Sequence, residues 1–192
     1  MDFMKKPGKS FKGQAVMEYL ITYGLALFVI LIVLAILVAV VLPSLKAPEA
    51  CQFTQPGFTC NQKPHTLVAD TGNNVRLLYQ LDNTQGKSVS VSGVLCSVAP
   101  AGNVRKSDVE SHGVTLSPAR PMAAGESVTM GGPSADVTGE IECKNEDGTT
   151  TKLAPNSNFR GTLAIVYRFA EDQPDAPDRL AIATVTGSVQ AE

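Results

Sequence analysis

KGQAVMEYLITYGLALFVILIVLAILVAVVL, residues 12–42, decides how the rest of the chain is read. Its residues 25–42 are eighteen consecutive apolar side chains without a charge. A helix rises about 1.5 Å per residue and needs about 20 residues to cross a bilayer. The run, with the milder residues 21–24 before it, therefore predicts one membrane-spanning helix that stops at Pro43. A secretory signal peptide wants an apolar region of roughly 7–15 residues and a small-residue cleavage site. This run is too long, and PSLKAPEAC after it has no A-x-A motif and a poor lipobox before Cys51.

A plain single-span anchor would explain the length but not the start. Lys12-Gly13 is followed by Gln14, Ala15, Val16, Met17 and then Glu18. A cut after Gly13 would make Glu18 the fifth residue of the mature chain. A carboxylate among apolar neighbours is costly unless it is paired, and the new α-amino group of Gln14 is the nearest candidate partner.

The short basic leader ending in Lys-Gly, the glutamate five residues on and the apolar run resemble the class III signal of archaeal type IV pilins. The resemblance covers residues 5–42, and GQAVMEYLITYG is similar to what such pilins carry. It implies cleavage between Gly13 and Gln14 by a membrane-embedded prepilin peptidase, with Lys12 helping to place the cut. It also implies that Glu18 serves assembly by pairing with an N-terminal amine. The further partners it implies are a pilus assembly platform with its ATPase, the membrane before assembly, and copies of the same chain in a helical filament. Archaellins, a related branch, show a glycine-rich start after the cut, from which Met17-Glu18-Tyr19 departs.

Charge supports the orientation. The leader carries Lys5, Lys6, Lys9 and Lys12 against Asp2, a net +3 out of 16 basic and 18 acidic residues overall. What remains is twelve basic and seventeen acidic residues, a balance of -5 that gives no nucleic-acid footprint. Lysines before the apolar run place the N-terminus in the cytoplasm and the remainder outside.

All four cysteines lie in that outer part, where disulfides persist. Three pairings are possible. Pro56-Gly57 is a turn signal between Cys51 and Cys60, which favours a local loop there and a second bridge between Cys96 and Cys143. No C-x2-C spacing exists and His65 and His112 are isolated, so a metal site has little support.

After Pro48 the period becomes alternating. Residues 1–13 read as an unstructured leader, 14–42 as the helix, 43–50 as a linker and 51–192 as one outer domain. Tyr19 and Tyr23 lie one turn apart at headgroup level, and Ala35 and Ala39 have small-xxx-small spacing. Val75, Leu77, Tyr79 and Leu81 form one strand face. Val89 and Val91 begin a second strand whose phase slips at Gly93, as at a β-bulge. Val128 and Met130 suggest a short strand. Val137, Ile141 and Cys143 share a face in another, which leads to an Asp147-Gly148 hairpin. In 159–169, Phe159, Leu163, Ile165, Tyr167 and Phe169 face one way and Ala164 and Val166 the other. A last strand covers 180–189, and 102–125 has no clear pattern. The expected fold is therefore α+β: a long N-terminal hydrophobic helix followed by an antiparallel β-sandwich, for which an immunoglobulin-like layout is one form.

No nucleophile elbow, phosphate-cradling loop or HExxH motif is present, so a cofactor-free, non-enzymatic protein is expected. Ser111-His112 in a polar stretch reads as solvent-exposed. Glu171, Asp172, Asp175 and Asp178 could offer oxygens to Ca2+, but their irregular spacing reads as a solvated acidic loop. There is no N-x-[ST] sequon. The sequence thus reads as a filament subunit serving adhesion. The other reading is a membrane-tethered extracellular binding protein, or a non-polymerising minor pilin, using the same signal.

Overall fold

The change of period at Pro48 separates a helix from a sheet, and the chain divides just before it into two units, Met1–Leu45 and Lys46–Glu192. The structure, a computed structural model, describes residues 12–44, 48–60, 65–137, 139–173 and 175–192. The first unit is α1, Lys12–Ser44. It starts two residues before Gln14, so Lys12 and Gly13 are helical backbone rather than part of the unstructured leader. It also includes Pro43, one residue from its end at Ser44. Residues 1–11, the rest of the expected leader, lie outside the described residues, as do residues 45–47 of the expected linker.

The second unit runs β1 (Ala50–Phe53), β2 (Phe58–Cys60), β3 (Thr66–Ala69), β4 (Val75–Asn83), β5 (Val89–Ser97), α2 (Lys106–His112), β6 (Val114–Met122), β7 (Ser127–Met130), β8 (Cys143–Lys144), β9 (Asn158–Phe169) and β10 (Arg179–Ala191). The ten strands hydrogen-bond in the order β2-β4-β3-β10-β9-β5-β6, with β1 on β10, β7 on β4 and β8 on β5. The expectation of a purely antiparallel sheet is corrected here. β3 pairs in parallel with the end of β10, Leu67 opposite Val189, and β8 pairs in parallel with β5, Cys96 opposite Cys143. Both pairings join segments far apart in sequence, so no local turn dictates their direction.

β9 lies between β10 and β5 along most of its length. Phe159, Leu163, Ile165 and Tyr167 enter one large cluster with Val75, Leu77 and Leu81 of β4 and Val89, Val91 and Val94 of β5. Ala164 and Val166 point the other way, into a second cluster with Leu95, Val104 and Val109. Val109 comes from α2, which thus covers the back of β5 and β9. Two-faced burial accounts for the near-continuous apolar run of β9. The phase slip in β5 is a register shift between Val91 and Gly93.

The expected strand through Val137 and Ile141 to Cys143 is not formed. Gly139 takes φ 144°, a conformation that breaks an extended run, and only Cys143 and Lys144 join a named strand. Val137 makes an isolated bridge to Met130, and Ile141 accepts a hydrogen bond from the Leu77 N–H at 2.9 Å. The Asp147-Gly148 turn closes a hairpin, with the Asn145 N–H donating to Thr149 O at 2.7 Å.

Asn83, fully buried, fastens the turn after β4. Its amide donates to the carbonyls of Lys87 at 2.7 Å and Ala123 at 3.0 Å, while its oxygen accepts from the Gln85 N–H at 3.1 Å.

Candidate functional site

The most distinctive surface belongs to α1. Within residues 16–40 an 18-residue window reaches mean hydropathy 3.1, and every side chain from 16 to 40 is exposed. At about 1.5 Å per residue, 25 residues reach about 38 Å, enough for a hydrocarbon layer of about 30 Å. By length and composition this is a membrane-anchor or signal-type helix. Its apolar character covers every side of the cylinder: Leu20, Ile21, Val29, Val33 and Ile30, which succeed one another around the helix at about 100° per residue, are all exposed. An all-round hydrophobic helix needs lipid or other helices around it.

Glu18 is the sole charged residue between Lys12 and Lys46, and it is exposed. The Thr22 hydroxyl one turn on donates to the Glu18 backbone carbonyl at 2.7 Å, not to its carboxylate. Tyr19 and Tyr23 stack with centroids 6.1 Å apart and planes 7° off parallel, stiffening one side of the same turn. Ala35 and Ala39 are exposed on the helix. Lys12, Gly13 and Gln14 lie in helical backbone, and their side chains lie outside the described residues.

The disulfides in the second unit join Cys51 to Cys60 and Cys96 to Cys143. Cys96 and Cys143 are fully buried, whereas Cys51 and Cys60 are half-buried. Two bridges suit an oxidising, extracellular location.

No protein-family model and no curated protein matches this chain.

The remaining candidates occupy separate places. Ser111 and His112 end α2, both exposed, with Ser111 Oγ 3.2 Å from His112 Nδ1. The serine hydroxyl also bonds back to the Ser107 carbonyl at 2.8 Å, as a helical serine commonly does. His65 is buried, its Nε2 2.9 Å from the Thr186 carbonyl oxygen. A polar hollow of about 230 Å3 beside α2 is lined by Ser97, Asp108, His112 and Asn145. Ser97 accepts from the Ala99 N–H and Asp108 from the Arg105 N–H, so these groups are occupied in holding loops.

The acidic loop is ion-paired rather than simply solvated. Asp172 is clasped by Arg179, Asp178 meets Arg168 at 2.8 Å and Lys106 at 3.1 Å, and Glu171 meets Lys87 at 2.8 Å. Asp175 is exposed. Among the described residues no group of three or more His, Cys, Asp or Glu side chains is placed to hold a metal. Sequence reading missed a further hub, Arg76, which gathers Glu140 at 2.5 Å, Glu192 at 2.9 Å and Asp70 at 3.8 Å. Its partners lie up to 116 positions from it, so no spacing could reveal it.

These contacts set the acid response. The Arg179 hydrogen bond holds the Asp172 carboxyl below its ordinary value, Lys144 does the same for Glu142, and the Thr129 N–H and hydroxyl do so for Asp136. A carboxylate with a lowered folded-state pKa contributes stability above its unfolded value, and that contribution is lost as pH falls through the folded value. Thermal unfolding of the disulfide-intact chain in detergent should keep the same midpoint from neutral pH to about pH 5. The midpoint should then drop below about pH 4, the ordinary carboxylate range. Melts followed by near-ultraviolet circular dichroism across pH 2–8 check this; a fall that starts between pH 7 and 6 would mean that these carboxylates do not set the acid response.

Proposed function

We infer that the chain is the structural subunit of a type IV pilus-like surface filament serving adhesion. Its leader is removed after Gly13 by a prepilin peptidase, and α1 waits in the membrane before packing with its copies in a filament core. One observation carries this reading: a helix apolar on every side, its side chains exposed from residue 16 to residue 40, with a single carboxylate five residues after a Lys-Gly pair. In lipid such a helix satisfies its own backbone, and in a bundle the same surface finds other helices. Glu18 then acts as a registry device, because one axial offset brings a neighbour's Gln14 amine to it. Heterologous contacts that do not close generate an open helical polymer.

The strands supply the outer sheath. The groups β1-β10-β9-β5-β6 and β2-β4-β7 both contribute residues to the large apolar cluster, which supports reading them as the layers of a β-sandwich. The immunoglobulin-like layout belongs to this reading in its two-layer sense only, since β3 and β8 pair in parallel.

The test is intact mass with N-terminal sequencing of protein sheared from the cell surface. The wild-type chain should begin at Gln14 and should gain mass from four thiol adducts only after reduction. Gly13→Val should retain the leader and stay with membranes. A wild-type chain that begins at Met1 and fractionates only with membranes would overturn the filament reading and leave a tethered outer domain.

A further inference from the structure

We propose that the Cys51–Cys60 disulfide is a mechanical staple, passing tension that arrives through the helix to both strand groups at once and shielding the first strands from peeling. The inference rests on the reading that α1 is held elsewhere, in a bilayer or a filament core, while the outer unit is pulled by whatever it adheres to.

β1 is the first strand after the helix in the chain, and its ladder is short: Ala50–Phe53 against residues 183–186 of β10. Its further ties are few. The Thr186 hydroxyl donates to the Pro48 carbonyl at 2.8 Å, and Thr54 donates through its N–H at 2.9 Å and its hydroxyl at 3.0 Å to the Ile182 carbonyl. β2 is shorter still, Phe58–Cys60 against residues 81–83 of β4. Each of these strands pairs with one partner, so backbone hydrogen bonds alone would let them open in sequence from residue 48 onward.

Cys51 interrupts that order. It is the second ladder residue of β1, bonded to Cys60 at the end of β2. Tension reaching Cys51 passes covalently to Cys60 and so to β4 as well as to β10, and the turn between β1 and β2, residues 54–57, is bypassed. The sheltered loop matters to the core. Phe58, 3% exposed, packs edge-to-face on Tyr167 at 4.9 Å and lies 5.8 Å from Phe53. Gly57 makes the return possible at φ 124°, a conformation that side chains rarely adopt. Without the bridge, the nine peptide steps from Cys51 to Cys60 would stretch from a Cα separation of 5.7 Å toward roughly 31 Å at about 3.3–3.6 Å per residue. Phe58 would leave the core as they did so.

The location also separates this bridge from the other one. It closes a separation of 9 residues, against 47 for Cys96–Cys143, so loop-closure entropy gives it the smaller share of equilibrium stability. Its half-exposed sulfurs are also open to reductant, whereas those of the other bridge are buried.

The full chain in a detergent micelle, tethered through terminal tags, tests this in optical tweezers. Cys51→Ser/Cys60→Ser, with Cys96–Cys143 kept, should show a separate low-force extension of at least about 25 Å before the main unfolding event. The oxidised wild type should lack that step. Wild type folded first and then treated with mild dithiothreitol provides a second route that does not depend on the variant folding, and it should gain the same step. If both bridge-free forms open in one event at the wild-type force, longer only by the freed loop, β1 and β2 hold unaided and the staple is overturned. This outcome is independent of the N-terminal mass measurement, which bears on the filament reading alone.

Discussion

Glu18→Ala is expected to leave leader removal intact while lowering filament yield by about two to three orders of magnitude. In the proposed filament the carboxylate meets the amine created at Gln14, and both are removed from water by surrounding apolar side chains. Removing one partner of a buried ion pair costs about 3–5 kcal/mol, because the other charge stays buried and alone. Each 1.4 kcal/mol is a factor of ten in an equilibrium, and the cost recurs at every subunit added. The helix itself should be unharmed, since alanine is the best helix former and the Thr22 hydroxyl bonds to the backbone carbonyl of residue 18 rather than to its carboxylate. The mature chain should therefore accumulate in membranes, with Gln14 at its start by mass spectrometry, while the sheared surface fraction empties. Glu18→Gln separates charge from shape: it keeps the length and a hydrogen bond, and it should restore little. Normal filament yield from Glu18→Ala would remove the registry role.

What the sequence made legible follows from how local the physics was. The apolar run of α1 and the lone charge of Glu18 need no partner to be seen. The two faces of β9 were equally plain, because burial on both sides leaves a period-2 sorting of large against small residues, Leu163, Ile165 and Tyr167 against Ala164 and Val166. α2 was invisible for the opposite reason: of its seven residues only Val109 is buried, and one apolar side chain has no period. β6 was hidden by Pro118 and Pro121. An edge strand tolerates proline because one row of its N–H groups lacks a ladder partner, and β6 pairs with β5 alone. The parallel β3–β10 and β5–β8 pairs, like the carboxylates around Arg76, join distant segments that no window along the chain connects. The partner proposed for Glu18 lies in another copy, so a single chain displays only half of that site.

Cys96→Ala/Cys143→Ala should lower the thermal midpoint by about 12 °C. Chain-entropy arithmetic for a closed segment with a separation of 47 residues gives about 4 kcal/mol at 25 °C, and a domain of this size loses roughly 3 °C per kcal/mol. Two structural facts argue that this bridge delivers its full share. Cys96 and Cys143 sit directly opposite each other in register, with Cα atoms 4.4 Å apart, and both belong to the large apolar cluster. β8 is also only two residues long, so its own hydrogen bonds cannot hold it. The Val98 N–H bond to Lys144 O at 2.9 Å and the Thr151 N–H bond to Cys143 O at 2.7 Å depend on Cys143 staying in place. Hydrogen exchange should therefore quicken first in residues 143–151 and at Val98, while the β9–β10 ladder keeps its protection until global unfolding. Calorimetry of the variant and the wild type, both with Cys51–Cys60 intact, measures the midpoint. A shift under 3 °C with unchanged exchange in the hairpin would mean that the apolar contacts of Ile141 and Leu77 hold β8 without the covalent tie.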